Sequence, residues 1–312
     1  MIFEEQCATR KAFGLALCDL GSKYHNIVTL DGDVQNSTFT ELFHKKFPQR
    51  FFQCFIAEQN MVSIATGFAL QGFIPFASTF AAFFTRAHDQ IRMAAISRAP
   101  LRLVGSHAGV SIGADGPSQM GLEDIALMRA LPHSIVLSPA DAISAYKLTE
   151  CMVHYNGGIS YMRTMREQTP MLYTSTTEFH PGGCHIIHQP TEPQVCIVAT
   201  GITVFEALLA HDTLKTQGIS VTVVDCYSIK PLPEVPLHTA ILHAKNRCIV
   251  VEDHYTEGGL GESIALALSQ NNVQVYSLAV QQLPRSGTSQ ELRAFEKIDA
   301  AAIIAMVHTM VL

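Results

Sequence analysis

Glu58 sits in the run Ala57-Glu58-Gln59-Asn60-Met61, where a short apolar strand pattern gives way to a helical one. A carboxylate there either offsets the helix dipole, by about 0.3–1 kcal/mol, or acts as an acid at the mouth of a site. Further on, Ser78-Thr79-Phe80-Ala81-Ala82-Phe83-Phe84 places aromatic rings at a second such junction. The segment 107–119 holds His107, Asp115 and Gln119 among Gly109, Gly113 and Gly116. Its glycines suit turns, and loops past about 12 residues are usually functional or disordered. With almost no solvating charge, this one is the weaker case for disorder. Arg10, Ser37 and Arg166 are possible anion contacts, because guanidinium groups bind phosphate bidentately. Each taken singly fits a solvated surface position better than an anion contact.

These residues need a frame, and the hydrophobic pattern supplies it. Short apolar runs at 27–30, 51–56, 74–77, 101–104, 135–137 and 159–162 alternate with helical patterns at 59–71, 81–97, 122–131 and 140–154. Such alternation predicts a largely parallel sheet with helices on both faces. Ligands of open α/β sheets gather beyond the carboxyl ends of the strands. Glu58, Thr79, His107 and Arg163 or Arg166 all fall just past such ends. From 172 to about 193 the pattern stops and Thr, His, Pro and Gly crowd together, which predicts a linker. A second block has strands expected at 195–199, 221–224, 248–251 and 273–278, and helices at 204–216, 236–244, 262–269 and from 289. The expected fold class is α/β, as two consecutive domains over 1–172 and 194–312 with a linker at 173–193.

Composition narrows the function classes. A hydrophobic share of 48% against 15% charged residues is ample for buried cores and unlike a disordered chain. A net charge of −6 argues against a nucleic-acid-gripping protein, so anionic ligands would be held by a few placed cations. Residues 1–10 lack the apolar run of a signal peptide, and no apolar stretch reaches the roughly 18 residues of a membrane span. Eight cysteines stand singly, none in a CxxC pair, which leads us to expect reduced thiols in a cytoplasmic protein. His180, Cys184, His185 and His188 offer imidazole and thiolate, but at no standard zinc spacing, and no metal site is expected there. Gly258-Gly259-Leu260-Gly261 opens a helix where an anion could sit; a plain tight turn is the expectation.

At longer range the sequence resembles the transketolase family over its pyrimidine-binding and C-terminal domains. The resemblance rests on extended runs: Ala8-Thr9-Arg10-Lys11-Ala12, Leu30-Asp-Gly-Asp33 with Asn36-Ser-Thr-Phe39, Ile56-Ala-Glu-Gln-Asn-Met-Val-Ser-Ile-Ala65 and Ser78-Thr-Phe-Ala-Ala-Phe-Phe-Thr-Arg86. It continues through Asp89-Gln-Ile-Arg-Met-Ala-Ala-Ile96, Gly109-Val-Ser-Ile-Gly113 and Asp115-Gly-Pro-Ser-Gln-Met120. The second block adds Ile229-Lys-Pro-Leu232, Val251-Glu-Asp-His-Tyr255 and Pro284-Arg-Ser-Gly287. The resemblance implies transfer of a two-carbon ketol unit between sugar phosphates with thiamine diphosphate. Glu58 then matches the glutamate that hydrogen-bonds the aminopyrimidine ring and favours its imino tautomer. Phe83 matches the ring-stacking aromatic, and Gln119 a further cofactor contact. His107 and Asp115 match residues that hold the donor sugar's hydroxyls, and Arg10, Ser37 and Arg166 match the phosphate contacts.

The same family carries a Gly-Asp-Gly motif, followed about thirty residues later by Asn, that holds Mg²⁺ and the diphosphate. Gly32-Asp33-Val34 with Asn60 lacks the third glycine and is rejected as a metal site. The resemblance therefore implies a partner, an N-terminal-half chain carrying that motif, in a heterotetramer. The preferred sugars are left open, with a pentose-phosphate role as the default. Rival readings are a 1-deoxyxylulose-5-phosphate synthase, a 2-oxo acid dehydrogenase β subunit, and a non-catalytic remnant that only binds a partner.

Overall fold

The computed structural model describes residues 3–311. Among them, a seven-stranded sheet runs in the order Ser228–Lys230, Ile135–Leu137, Ser160–Arg163, Arg102–Ser106, Ile74–Phe80, Ile27–Asp31, Phe51–Gln53. Every pairing is parallel except that of Ser228–Lys230, which lies antiparallel on the edge. The inner strands Ile27–Asp31, Arg102–Ser106 and Ser160–Arg163 are buried along their whole length, on both faces, polar end residues Asp31, Ser106 and Arg163 included. A second sheet of five strands has the order Gln274–Val280, Arg247–Tyr255, Val195–Ala199, Val221–Asp225, His185–His188. It too is parallel apart from its last edge strand. One apolar cluster runs from Leu30 and Ala77 in the first sheet to Val198 and Val250 in the second, so the two units share buried packing.

Three elements depart from the sequence expectation. The 173–193 stretch is not patternless throughout, because His185–His188 pairs antiparallel with Val221–Asp225. Its alternation of half-buried and exposed residues is too short to stand out beside the neighbouring prolines and glycines. Ser228–Lys230, in the second block, leaves its own sheet and completes the first. The helix expected over 81–97 is a 3₁₀ segment, Ala81–Ala87, followed by an α-helix, His88–Ile96.

Topology brings the termini of the first unit together. Gln6–Ala8 pairs antiparallel with Gln168–Pro170, Ala8 opposite Gln168. Two residues beyond that pair, on either chain direction, stand Arg10 and Arg166. Ser37, Glu58, Phe83, His107 and Arg166 each follow the carboxyl end of a strand in the seven-stranded sheet. Among the described residues no helix is long and apolar enough to cross a membrane.

Candidate active site

Glu58 is the first residue of the helix Glu58–Leu70 and is 2% exposed. Its Oε2 lies 3.6 Å from Nη1 of the exposed Arg86, and its Oε1 is buried with no hydrogen-bond partner. With Ile56, Ala57, Gln59, Asn60 and Arg86 it lines a recess of about 250 Å³. A buried carboxylate oxygen without a donor costs stability, about 1–3 kcal/mol, and marks a place where a ligand N–H would be welcome.

The 3₁₀ geometry of Ala81–Ala87 explains the wall beside it. At three residues per turn, side chains at i and i+3 eclipse, so Phe80, Phe83 and Arg86 form one file. The Phe80 and Phe83 rings stack at 5.1 Å with an interplanar angle of 12°, and the Arg86 guanidinium lies 5.8 Å from the Phe83 centroid. Phe80 in turn stacks on His107 at 3.9 Å and 19°. The turn Pro117–Gln119 packs against the same 3₁₀ segment, which brings the half-buried Gln119 to this wall.

His107 adopts φ +58°, an uncommon conformation for a side-chain-bearing residue. It is buried and shares a 2.8 Å hydrogen bond between Nδ1 and Ser106 Oγ. Burial, with Arg10 and Arg166 nearby, pushes its pKa down to about 3. The imidazole is therefore neutral near pH 7 and suited to hydrogen bonding a hydroxyl.

Arg10 and Arg166 carry like charge into one place. Arg10 donates through Nη1 to the Ser37 carbonyl at 2.8 Å and lies over the Phe39 ring, while its Nε is buried without a partner. Burial first, then Arg166, lowers its pKa. Ser37 is set by Asp31, whose carboxylate accepts from Val34 N, Thr38 and Thr40 at 2.7–2.8 Å around the short helix Gln35–Thr38. Arg166 donates to the Ile112 carbonyl at 3.1 Å and to Asp115 Oδ2 at 2.9 Å. That ion pair is 43% and 36% exposed, so it is worth at most about 1 kcal/mol and exchanges readily for an incoming anion.

The eight residues singled out from the sequence fall in two neighbouring groups: Glu58, Phe83, Gln119 and His107 along the aromatic wall, and Asp115, Arg166, Arg10 and Ser37 around the guanidinium groups whose charges reach His107. Phe80 and Arg86 were missed, although both lie in a quoted run; the signal was their spacing of three from Phe83. The orphaned Glu58 oxygen beside a flat ring face fits an aminopyrimidine, and the unpartnered Arg10 Nε beside Arg166 fits a phosphate. Asp33 accepts from Gln53 Nε2 at 2.7 Å and is engaged away from the recess. Among the described residues no group of three His, Cys, Asp or Glu side chains is placed to hold a metal. His185 bonds the Glu178 carbonyl, whereas His188 stacks on His211, so the histidines of 180–188 face different neighbours. The turn at Gly258 is filled from within: Glu252 accepts from the amides of Leu260 and Gly261 at 2.6 and 2.8 Å, and burial raises its pKa to about 7.

The orphaned Glu58 oxygen and the paired guanidinium groups of Arg10 and Arg166 are two unsatisfied polar features of this region. The family model of the transketolase pyrimidine-binding domain matches residues 5–171, and that of the transketolase C-terminal domain matches 183–303. The chain belongs to the transketolase family. Mouse transketolase is 47% identical over 98% of this chain and 49% of its own length, and human transketolase 45% identical over the same shares. The chain spans about half the length of the curated relatives it matches. A split-gene transketolase, solved as an inactive β4 tetramer, superposes with a TM-score of 0.89 at 35% identity, covering 97% of this chain and 98% of that one. Transketolase from Campylobacter jejuni shares the fold, with a TM-score of 0.85 at 20% identity over 99% of this chain and 48% of its own.

Proposed function

We propose that this chain is one subunit of a two-chain transketolase that moves a two-carbon ketol unit from a ketose phosphate to an aldose phosphate. The observation that carries this is the Glu58 carboxylate, buried yet lacking a donor for Oε1, beside the Phe83 wall. Thiamine diphosphate, when bound, supplies the nucleophilic carbon. Glu58 holds a proton at the cofactor's pyrimidine nitrogen, Phe83 packs on the ring, and Gln119 completes that side. Neutral His107 and Asp115 receive the donor's hydroxyls, while Arg10, Arg166 and Ser37 take the phosphate. The chain's share is binding, orientation and electrostatics.

An N-terminal-half partner carrying Gly-Asp-Gly…Asn holds Mg²⁺ and the diphosphate, in a heterotetramer. Support comes from apolar side chains left exposed near the recess: Ile56, which lines it, and its neighbour Phe55 are 71% and 67% exposed, and Ile64 on the Glu58 helix is exposed too. The neighbouring split-gene chain of the same extent, inactive as a β4 tetramer, supports the same reading. The paired guanidinium groups favour a phosphorylated substrate over a plain 2-oxo acid. A cytoplasmic, reducing setting suits the buried thiols of Cys196, Cys226 and Cys248. Mixing this chain with such a partner, cofactor and Mg²⁺ should yield ketol transfer between sugar phosphates that neither chain gives alone. A mixture that binds the cofactor but acts on pyruvate and not on sugar phosphates would overturn the assignment.

A further inference from the structure

The 107–119 segment has glycines at 109, 113 and 116, with φ of +81°, +84° and +84°. Turn geometry explains the dihedrals, but each of the three also faces a residue of the second unit. A Cβ on Gly109 would lie 2.0 Å from Asp253 Oδ2, on Gly113 3.2 Å from the Gly287 carbonyl, and on Gly116 2.8 Å from Ser286 Oγ. The loop is thus seated on the second unit along its length. At one point the contact is a specific bond: Asp253 Oδ1 accepts from Val110 N at 2.8 Å and Oδ2 lies 3.4 Å from Ser111 N. Asp253 is 3% exposed, and its own carbonyl accepts from Arg163 Nη1 at 3.0 Å. Arg163 Nη2 also takes the Gly121 carbonyl at 3.0 Å, fixing the other end of the loop. A second tie lies at the rim, where Arg293 and Ser289 bond Glu167, next to Arg166.

Resting on the ketol-transfer reading, we infer that Asp253 is a positioning residue for the donor sugar. Its carboxylate pins the Val110 and Ser111 amides, and so fixes where His107 and Asp115 stand on either side of them. Asp253 bonds the loop at Val110 and Ser111, between His107 and Asp115, whereas Gln119 stands in the separate turn Pro117–Gln119, so its influence falls on donor binding more than on cofactor binding. Charge-assisted bonds to backbone amides hold better than neutral ones, and a buried carboxylate has little freedom to slide. In Asp253→Asn the amide group can accept from only one of the two N–H groups and sets a donor against the other.

The test uses the full chain reconstituted with its partner and cofactor, together with amide hydrogen exchange on the chain. Asp253→Asn should raise the donor KM by about tenfold, the factor expected for one lost charge-assisted hydrogen bond. Exchange at Val110 and Ser111 should speed up by a comparable factor, while the thiamine diphosphate Kd stays unchanged. Gly109→Ala, whose methyl group displaces the same carboxylate, should reproduce the exchange pattern if Asp253→Asn folds poorly. Unaltered exchange at 109–113 in both variants would overturn the inference, as would equal losses of cofactor and donor affinity. If the wild-type pair transfers no ketol unit, the functional reading fails, and the exchange result still decides whether Asp253 holds the loop.

Discussion

Removing the carboxylate of Asp124 should cost this protein about 3–5 kcal/mol, the penalty for leaving a buried guanidinium without its partner. Asp124 receives two bonds from Arg163, Nε to Oδ2 at 2.9 Å and Nη2 to Oδ1 at 3.0 Å, and a third from the Tyr161 hydroxyl at 2.6 Å. The paired side chains are only 6% and 1% exposed. Burial works against the charge of Arg163, yet Asp124, Tyr161 and Asp253 outweigh it and raise its pKa. Lys45 and Glu41 form an ion pair of similar length, 2.7 Å, with Lys45 70% exposed. Solvent screening there limits Glu41→Gln to roughly 0.5 kcal/mol or less. Urea unfolding of Asp124→Asn, Glu41→Gln and wild type compares the two directly. Replacing both partners by apolar residues, Asp124→Leu with Arg163→Met, should cost less than the sum of the two single changes, because the Arg163 charge is not stranded, although the Tyr161 hydroxyl and the Asp253 and Gly121 carbonyls lose their partner. A loss below about 1 kcal/mol in Asp124→Asn would refute the reading of this pair as an ion pair held under low dielectric.

Glu58→Gln should abolish ketol transfer in the reconstituted pair while shifting unfolding by no more than about 1 kcal/mol, since only a helix-dipole term and a 3.6 Å contact to the exposed Arg86 are lost; retained activity with a large stability loss would make Glu58 structural. Arg166→Gln should raise the KM of phosphorylated donors about tenfold or more and leave unphosphorylated ones unaffected, as expected for loss of a guanidinium–phosphate contact. Asp225 is fully buried, bonds the Tyr173 hydroxyl at 2.7 Å, and has its pKa raised by burial to about 8. The folded state therefore holds a proton that the unfolded state releases, so wild-type stability declines as pH rises from about 4 to 8 and levels off above. Asp225→Asn should gain on wild type across that window, at up to about 1.4 kcal/mol per pH unit; parallel pH–stability curves for the two proteins would contradict this.

Read alone, the sequence determined the alternation of buried strands and helices, because an apolar run and a helical period are local properties. It also determined which side chains stand past the strand ends, since order along the chain settles that. Glu58, His107 and Arg166 were legible for this reason. The family runs added roles, but not distances. Tertiary structure decided the rest, through contacts that no local pattern encodes. Ala81 is wedged between Gly105 and Gly121, each of which would place a Cβ within 3.0 Å of it. A segment of good helix formers is drawn there into the tighter 3₁₀ turn that aligns Phe80, Phe83 and Arg86. Arg10 meets Arg166 only because Gln6–Ala8 pairs with Gln168–Pro170 across most of the first unit. Ser228–Lys230 and Asp253 belong to the second unit by sequence, yet one completes the first sheet and the other holds the first unit's loop. Pairings between residues more than ninety positions apart arise when two surfaces bury each other, and that complementarity exists only in the folded chain.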